Sequence, residues 1–138
     1  MDERYVTALV RGRGLSVFSA CSHAGIVNAS LSARGHFPSV PIDLVLGGFH
    51  LAGKEMERRI GRTVRDLKDR IAPRLVAPGQ CTGWRAKAQL AEAFGHGSYP
   101  PSVVGTRYRL RAGPAGPNRY VPTSEALTTP FPAPVGPH

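Results

Sequence analysis

The sequence predicts a layered α/β fold, and three observations support this prediction. Short apolar runs that stop at glycine or proline alternate along the chain with segments whose apolar residues recur at helical spacing. One such segment, between Gly53 and Ala72, carries apolar residues every three or four positions. Two β-rich runs near the start are joined by a short connection that contains glycine. The resulting order, β-β-α-β-α-β-α-β, is typical of an α/β domain built in layers.

The first half of the chain predicts a hairpin, a helix and a buried strand. Residues 4–10 and 15–19 are β-rich, and the glycine-containing connection between them suits a hairpin. Residues 24–34 have apolar side chains at helical spacing and stop before Gly35, which favours a helix ended by glycine. Residues 42–46 form a short apolar run closed by two glycines, the pattern of a buried strand.

The second half predicts two helices and two strands. The segment 53–72 predicts a long helix with one apolar stripe, made of Met56, Ile60, Val64, Leu67 and Ile71. Residues 75–77 suit a buried strand stopped by proline and glycine, and residues 82–94 suit a helix with Thr82 as its N-cap. Residues 103–110 are expected to form a last strand.

The foldable part of the chain is expected to end near residue 111. Residues 112–138 are rich in proline and have no apolar periodicity, so burial could not offset the entropy lost on ordering them. We therefore expect one domain over residues 1–111 and a disordered Pro/Gly-rich tail over residues 112–138.

The charge of the chain is strongly positive, with a formal net charge of +9. Many of the cations lie on the predicted helix 53–72, interleaved with acidic residues as on a solvated face. The sequence has no alternation of aromatic and basic residues of the kind that stacks nucleic-acid bases. These patterns argue against a nucleic-acid partner, although a basic nucleic-acid-binding protein remains an alternative that the charge alone supports.

The compartment expected from the sequence is the cytoplasm. The first residues lack the basic and then apolar order of a secretory signal, and the longest apolar stretch is far shorter than the ~20 residues of a membrane helix. In that compartment the two cysteines, Cys21 and Cys81, are expected to be thiols and not a structural disulfide.

A polar cluster follows each of three apolar runs. In layered α/β folds the loops at one edge of the sheet converge, so residues about 30 positions apart can meet there. This arrangement predicts a metal or substrate site at one sheet edge. The clusters are Cys21-Ser22-His23-Ala24-Gly25, Gly47-Gly48-Phe49-His50-Leu51 and Pro78-Gly79-Gln80-Cys81-Thr82-Gly83.

The same clusters carry a family resemblance. Ser19 to Asn28 (SACSHAGIVN), Gly47 to Leu51 (GGFHL) and Cys81 to Gly83 (CTG) resemble successive signatures of the metallo-β-lactamase-fold hydrolases, in particular the group that includes the methanopterin-pathway dihydropterin synthases. The resemblance covers about residues 5–110. It implies that residues 1–111 form the C-terminal half of an αββα sandwich.

The resemblance also implies a divalent metal, zinc or manganese, at the edge of the sheets. His23 and His50 are then expected to be metal ligands, and Cys21, Gln80 and Cys81 are possible additional site residues. The small-molecule substrate of intact relatives would meet a metal-bound hydroxide at this edge.

Two departures from the family pattern change the expected activity. The chain contains no His-x-His-x-Asp-His run, which supplies most metal ligands in the family, and Gln80 stands where the family usually has histidine. We therefore expect a truncated or split hydrolase-like or synthase-like domain that is inactive alone. Its expected partner is a separate N-terminal half or a further copy of the chain.

Alternatives remain open for these residues. The chain could be a non-catalytic module in which Cys21, His23, His50 and Cys81 hold one structural zinc. Each histidine could also be bonded to backbone at a strand end, and each cysteine could be a small buried apolar residue.

Overall fold

The computed structural model of the protein describes residues 3–113. The strands are β1 (Tyr5–Val10), β2 (Gly14–Ser19), β3 (Ile42–Gly47) and β4 (Leu75–Pro78). The helices are α1 (Ile26–His36), α2 (Lys54–Glu57), α3 (Ile60–Asp66) and α4 (Trp84–Phe94), and a π-helical turn follows α3 at Leu67–Ile71. The prediction of a mixed α/β fold is confirmed. Beyond Gly113, the predicted tail lies outside the described residues.

The strands form one sheet in the order β1-β2-β3-β4. The predicted hairpin pairs β1 with β2 antiparallel, and β2, β3 and β4 run parallel to one another. The parallel strands are connected by crossovers that contain helices, as parallel pairing requires. The carboxyl ends of β2, β3 and β4 therefore lie at the same edge of the sheet.

The hydrophobic core lies between the helices and one face of the sheet, which we call the helix face. Val17, Val45 and Val76 are cross-strand neighbours on this face and are fully buried. The π-helical turn and α3 contribute Ile60, Leu67 and Ile71 to the same cluster, so the predicted apolar stripe is confirmed in its central part. Among residues 3–113, no helix is long and apolar enough to cross a membrane.

The predicted long helix over residues 53–72 is interrupted. It divides into α2, α3 and the π-helical turn, which ends where the Ala72 N–H donates to the Leu67 carbonyl. Ala72 then adopts a left-handed conformation with φ 49°. Pro73 explains this end of the segment, because it disfavours a helical conformation in the residue before it and cannot continue the helix.

The predicted strand over residues 103–110 is wrong. These residues pair with no strand of the described chain, and Val103 and Val104 are exposed. The Thr106 N–H donates to the Val103 carbonyl and closes a tight turn there, which interrupts any extended run. The β-rich composition of this segment could not indicate whether a partner strand was available.

An ion pair ties β3 to the start of β4 at the opposite edge of the sheet. The Arg74 guanidinium donates through Nε and an Nη to the two carboxylate oxygens of Asp43, at 2.6 and 3.0 Å. Asp43 is buried, and the bidentate geometry is the strongest form of this contact. The pair fixes the alignment of two of the strands that present the candidate site.

Candidate metal centre

Three loops follow the parallel strands and meet at the sheet edge, as predicted. They comprise residues 20–25 after β2, 48–53 after β3 and 79–83 after β4. The Gly79 N–H donates to the Gly47 carbonyl, and the N–H groups of Leu51 and Ala52 both donate to the Cys81 carbonyl. These bonds hold the second and third loops together at distances of 2.6 to 3.1 Å.

Each loop contains one residue other than glycine in the left-handed region. Ser22, His50 and Cys81 have φ values of 51°, 49° and 51°. A left-handed conformation of such a residue costs about 1 kcal/mol or more, and such residues cluster at functional sites. The strain is placed in the three loops that meet, and two of the strained residues carry metal-binding side chains.

Cys21, His50 and Cys81 form a compact group of three potential metal ligands. The Sγ atoms of Cys21 and Cys81 are 3.1 Å apart, and Cys21 Sγ lies 3.6 Å from His50 Nδ1. All three ligand atoms lie within 4.8 Å of one another. The three side chains are partly exposed, so an ion could reach them from solvent.

The space for this group depends on Gly48. A Cβ atom at Gly48 would lie 2.8 Å from Cys81 Sγ and 2.9 Å from Gln80 Nε2, which is closer than real Cβ atoms approach such neighbours. The absence of a side chain at Gly48 therefore lets the third loop fold against the second. In the sequence this glycine marks only the end of an apolar run, and the structure adds a role in packing the site.

The thiol of Cys21 holds its proton firmly. The hydrogen bond with the Cys81 thiol is the largest cause, followed by partial burial and the negative charge that Cys81 and Glu3 can carry. Together they raise the pKa of Cys21 to about 11. Cys21 therefore releases its proton readily only when a cation arrives to stabilise its thiolate.

His23 and Gln80 lie beside the group without joining it. The ring of His23 meets the ring of His50 edge to face with centroids 4.4 Å apart, and His23 is exposed. The Gln80 side chain donates through Nε2 to the Ala20 carbonyl at 2.5 Å, which links the first and third loops. The side-chain amide of Gln80 is therefore engaged in a hydrogen bond that connects two loops.

Hydroxyl groups of three residues fix the loops through hydrogen bonds. Ser19 Oγ and Ser22 Oγ are 2.6 Å apart and buried, so they fix the start of the first loop. Thr82 was predicted to cap α4, but its Oγ1 accepts from the Phe49 N–H and contacts the Gln80 carbonyl. The N-cap of α4 is Gly83, and no described side chain caps that helix. Thr82 serves the site because the third loop turns before the helix begins.

The donor set indicates which ions the group could hold. Two thiolates and an imidazole suit zinc and other soft or borderline ions, whereas manganese prefers oxygen ligands. Between the two metals that the family resemblance implied, the residues present fit zinc. Three protein ligands also leave a fourth tetrahedral position for water or substrate, an arrangement typical of catalytic zinc sites.

Sequence reasoning named these residues but weighed them differently. It expected His23 and His50 as ligands and treated Cys21 and Cys81 as additional. The structure brings both cysteines to His50 and leaves His23 at the side of the group. The signal that could have shown this is the spacing of the cysteines, since each lies two or three residues beyond the end of a parallel strand.

Together, the fold and these three loops define an α/β protein with a candidate thiolate and imidazole metal centre. Comparison with protein families found no family that matches the chain. The chain is 33% identical over 94 residues to the 7,8-dihydropterin-6-methyl-4-(beta-D-ribofuranosyl)-aminobenzene-5'-phosphate synthase of Methanocaldococcus jannaschii. The aligned residues are 68% of this chain and 31% of the synthase, so the chain spans about a third of this curated relative.

Proposed function

We propose that the chain is a zinc-binding part of a dihydropterin synthase-like protein, and that Cys21, His50 and Cys81 hold the ion. The observation that carries the proposal is the convergence of three ligand atoms within 4.8 Å from three separate loops. The similarity to the Methanocaldococcus jannaschii synthase supports the pterin-pathway part of the proposal. A zinc ion bound there supplies a Lewis acid and lowers the pKa of a bound water.

The protein residues have distinct tasks in this proposal. Cys21 and Cys81 neutralise the ion as thiolates, and His50 supplies a neutral ligand that leaves the centre with no net charge. His23 packs edge to face against the His50 ring and restricts its orientation. The backbone bonds between the second and third loops keep His50 and Cys81 in place before the ion binds.

A basic cavity beside the first loop suits a phosphate group. It has a volume of about 240 Å³ and opens at the amino end of α1, where backbone N–H groups favour anions. Arg59, Arg62 and Arg70 line it, and Asp66 is the one acidic residue among the described residues that line the cavity. The name of the similar synthase refers to a 5'-phosphate. We propose that the cavity receives a phosphate of that kind.

The second face of the sheet supports the proposal of a sandwich. Val6, Phe18 and Leu46 are cross-strand neighbours on the face opposite the helices. Val6 is 66% exposed and Phe18 and Leu46 are partly buried, whereas Leu44 and Ala77 on the same face are fully buried. The part of this face around Val6 is the part that needs a cover. We propose that a second sheet, from a partner segment or a further copy, provides it as in a metallo-β-lactamase sandwich.

The zinc part of the proposal is tested by metal content. The chain is purified under reducing conditions, stripped with a chelator and reloaded with zinc or cobalt. We expect one ion per chain and, with cobalt, a thiolate-to-metal charge-transfer band that weakens in Cys21→Ser and in Cys81→Ser and disappears when both cysteines are replaced. His96→Ala is the matched control, because His96 is exposed and lies after α4. Retention of the ion by the double cysteine variant would overturn the assignment.

The sandwich part is tested separately with an apolar dye and by sedimentation. We expect the isolated chain to bind the dye or to self-associate through the face that carries Val6. The variant Val6→Lys should reduce both effects. An unchanged signal in this variant would show that the face is not an interaction surface.

A further inference from the structure

The Cys21 and Cys81 thiols lie closer together than zinc binding requires. Their Sγ atoms are 3.1 Å apart, while a disulfide bond is about 2.05 Å long. A movement of about 1 Å by the two sulfur atoms would therefore bring them to bonding distance. Both cysteines are free thiols and both are partly exposed.

The loops that carry the two thiols are held against each other. Gln80 donates to the Ala20 carbonyl, which ties the residue before Cys81 to the residue before Cys21. Cys81 also contacts the Cys21 carbonyl through its Sγ at 3.8 Å. The proximity of the thiols thus follows from contacts of the folded chain, since the two cysteines are 60 residues apart in sequence.

We propose that Cys21 and Cys81 form a redox-active dithiol that is converted to an intramolecular disulfide by low-molecular-weight disulfides. One thiol loses its proton to solvent, attacks a sulfur of the small disulfide and expels one small thiolate. The second thiol loses its proton and attacks the protein sulfur of the mixed disulfide, and the second small thiolate leaves. The protein loses two protons and two electrons, and the small disulfide is reduced to two thiols.

The disulfide and the metal centre compete for the same sulfur atoms. A sulfur in a disulfide is a poor ligand, so oxidation would leave His50 alone of the three donors. This competition rests on the proposed zinc site. The dithiol itself depends only on the distance between the two thiols, and it can be tested without metal.

The experiment uses the full chain after removal of metal by a chelator. The chain is equilibrated in buffers of graded reduced and oxidised glutathione, quenched with acid and analysed by mass spectrometry. We expect a product lighter by two hydrogen atoms, with one peptide link between Cys21 and Cys81. Half-oxidation should occur at a value of [GSH]²/[GSSG] about 100-fold higher in the native chain than in urea, because the fold removes the loop-closure entropy.

The variants Cys21→Ser and Cys81→Ser should each stop at a mixed disulfide with one glutathione. Far-UV circular dichroism checks that they remain folded. If a variant unfolds, the comparison of native and denatured wild-type chain still decides. Equal half-oxidation points in buffer and urea, or mixed disulfides alone in the wild-type chain, would overturn the proposal.

A second arm repeats the titration with zinc present. Protection from oxidation supports competition at one site. Disulfide formation in a chain that retains no zinc would support the redox-active dithiol and overturn the proposed metal function. Zinc binding in a chain that never forms the disulfide would overturn the redox proposal and support the zinc site.

Discussion

The imidazole rings of His23 and His50 meet edge to face, with centroids 4.4 Å apart. His50 also contacts Cys21, whereas His23 is outside the group of three ligand atoms. We expect His50→Ala to weaken zinc binding by more than about 100-fold, because loss of an outer partner alone costs 10- to 100-fold. His23→Ala should weaken it by about tenfold or less. Competition with a chromophoric chelator measures both, and equal losses would indicate a closed four-ligand site that includes His23.

Zinc affinity should rise with pH. The Cys81 thiol raises the pKa of Cys21 to about 11, so Cys21 is protonated at neutral pH and must release its proton when it binds the ion. Each proton released makes the affinity rise about tenfold per pH unit. Cys21 should contribute to this slope until the pH approaches its pKa. Calorimetry in buffers with different ionisation enthalpies counts the protons, and Cys21→Ser should reduce the count by one.

The Arg74 and Asp43 pair should contribute measurably to stability. Arg74→Gln would leave a buried carboxylate without its bidentate partner, and we expect a loss of about 2 kcal/mol in the free energy of unfolding. Arg58→Gln is the control, because its pair with Glu55 is exposed on both sides and should change stability by less than about 0.5 kcal/mol. Urea unfolding measures both variants. Similar values for the two would refute a structural role for the buried pair.

Phosphate binding in the basic cavity should depend on Arg59. Its guanidinium lies 3.2 Å from the position that a Cβ of Gly25 would occupy, so it faces the amino end of α1. We expect Arg59→Gln to weaken binding of inorganic phosphate about tenfold, the effect of one charge-assisted hydrogen bond. Arg58→Gln again serves as the control, since Arg58 does not line the cavity. Calorimetric titration at two salt concentrations provides the measurement, and no difference between the variants would exclude the cavity as the phosphate site.

The order of the first seven elements could be predicted from the sequence because each has a local signal. The apolar runs that became β3 and β4 end at glycine or proline, and the stripe through Ile60, Leu67 and Ile71 has helical spacing. The prediction of a strand over residues 103–110 was wrong because a β-rich composition does not supply a partner strand. The break between α2 and α3 at Arg58 and Arg59 was also hidden, since both residues favour a helix and no local signal marks it.

The position of the site could be predicted, but its exact composition could not. Polar clusters that follow three parallel strands lie at the same edge of the sheet, whichever of their side chains meet there. Which side chains meet depends on the left-handed conformations of His50 and Cys81 and on the space left by Gly48. Such conformations are uncommon for residues other than glycine, so no local pattern indicates them.

The separation of the ligands along the chain bears on how the protein is made. Cys21 is 29 residues from His50 and 60 residues from Cys81, and each follows a different parallel strand. No nascent fragment that ends before Cys81 can present all three donors, so an ion held by this group would be captured late. If the proposed zinc site forms, a chelator added to a cell-free translation before synthesis passes Cys81 should therefore act as strongly as one present throughout.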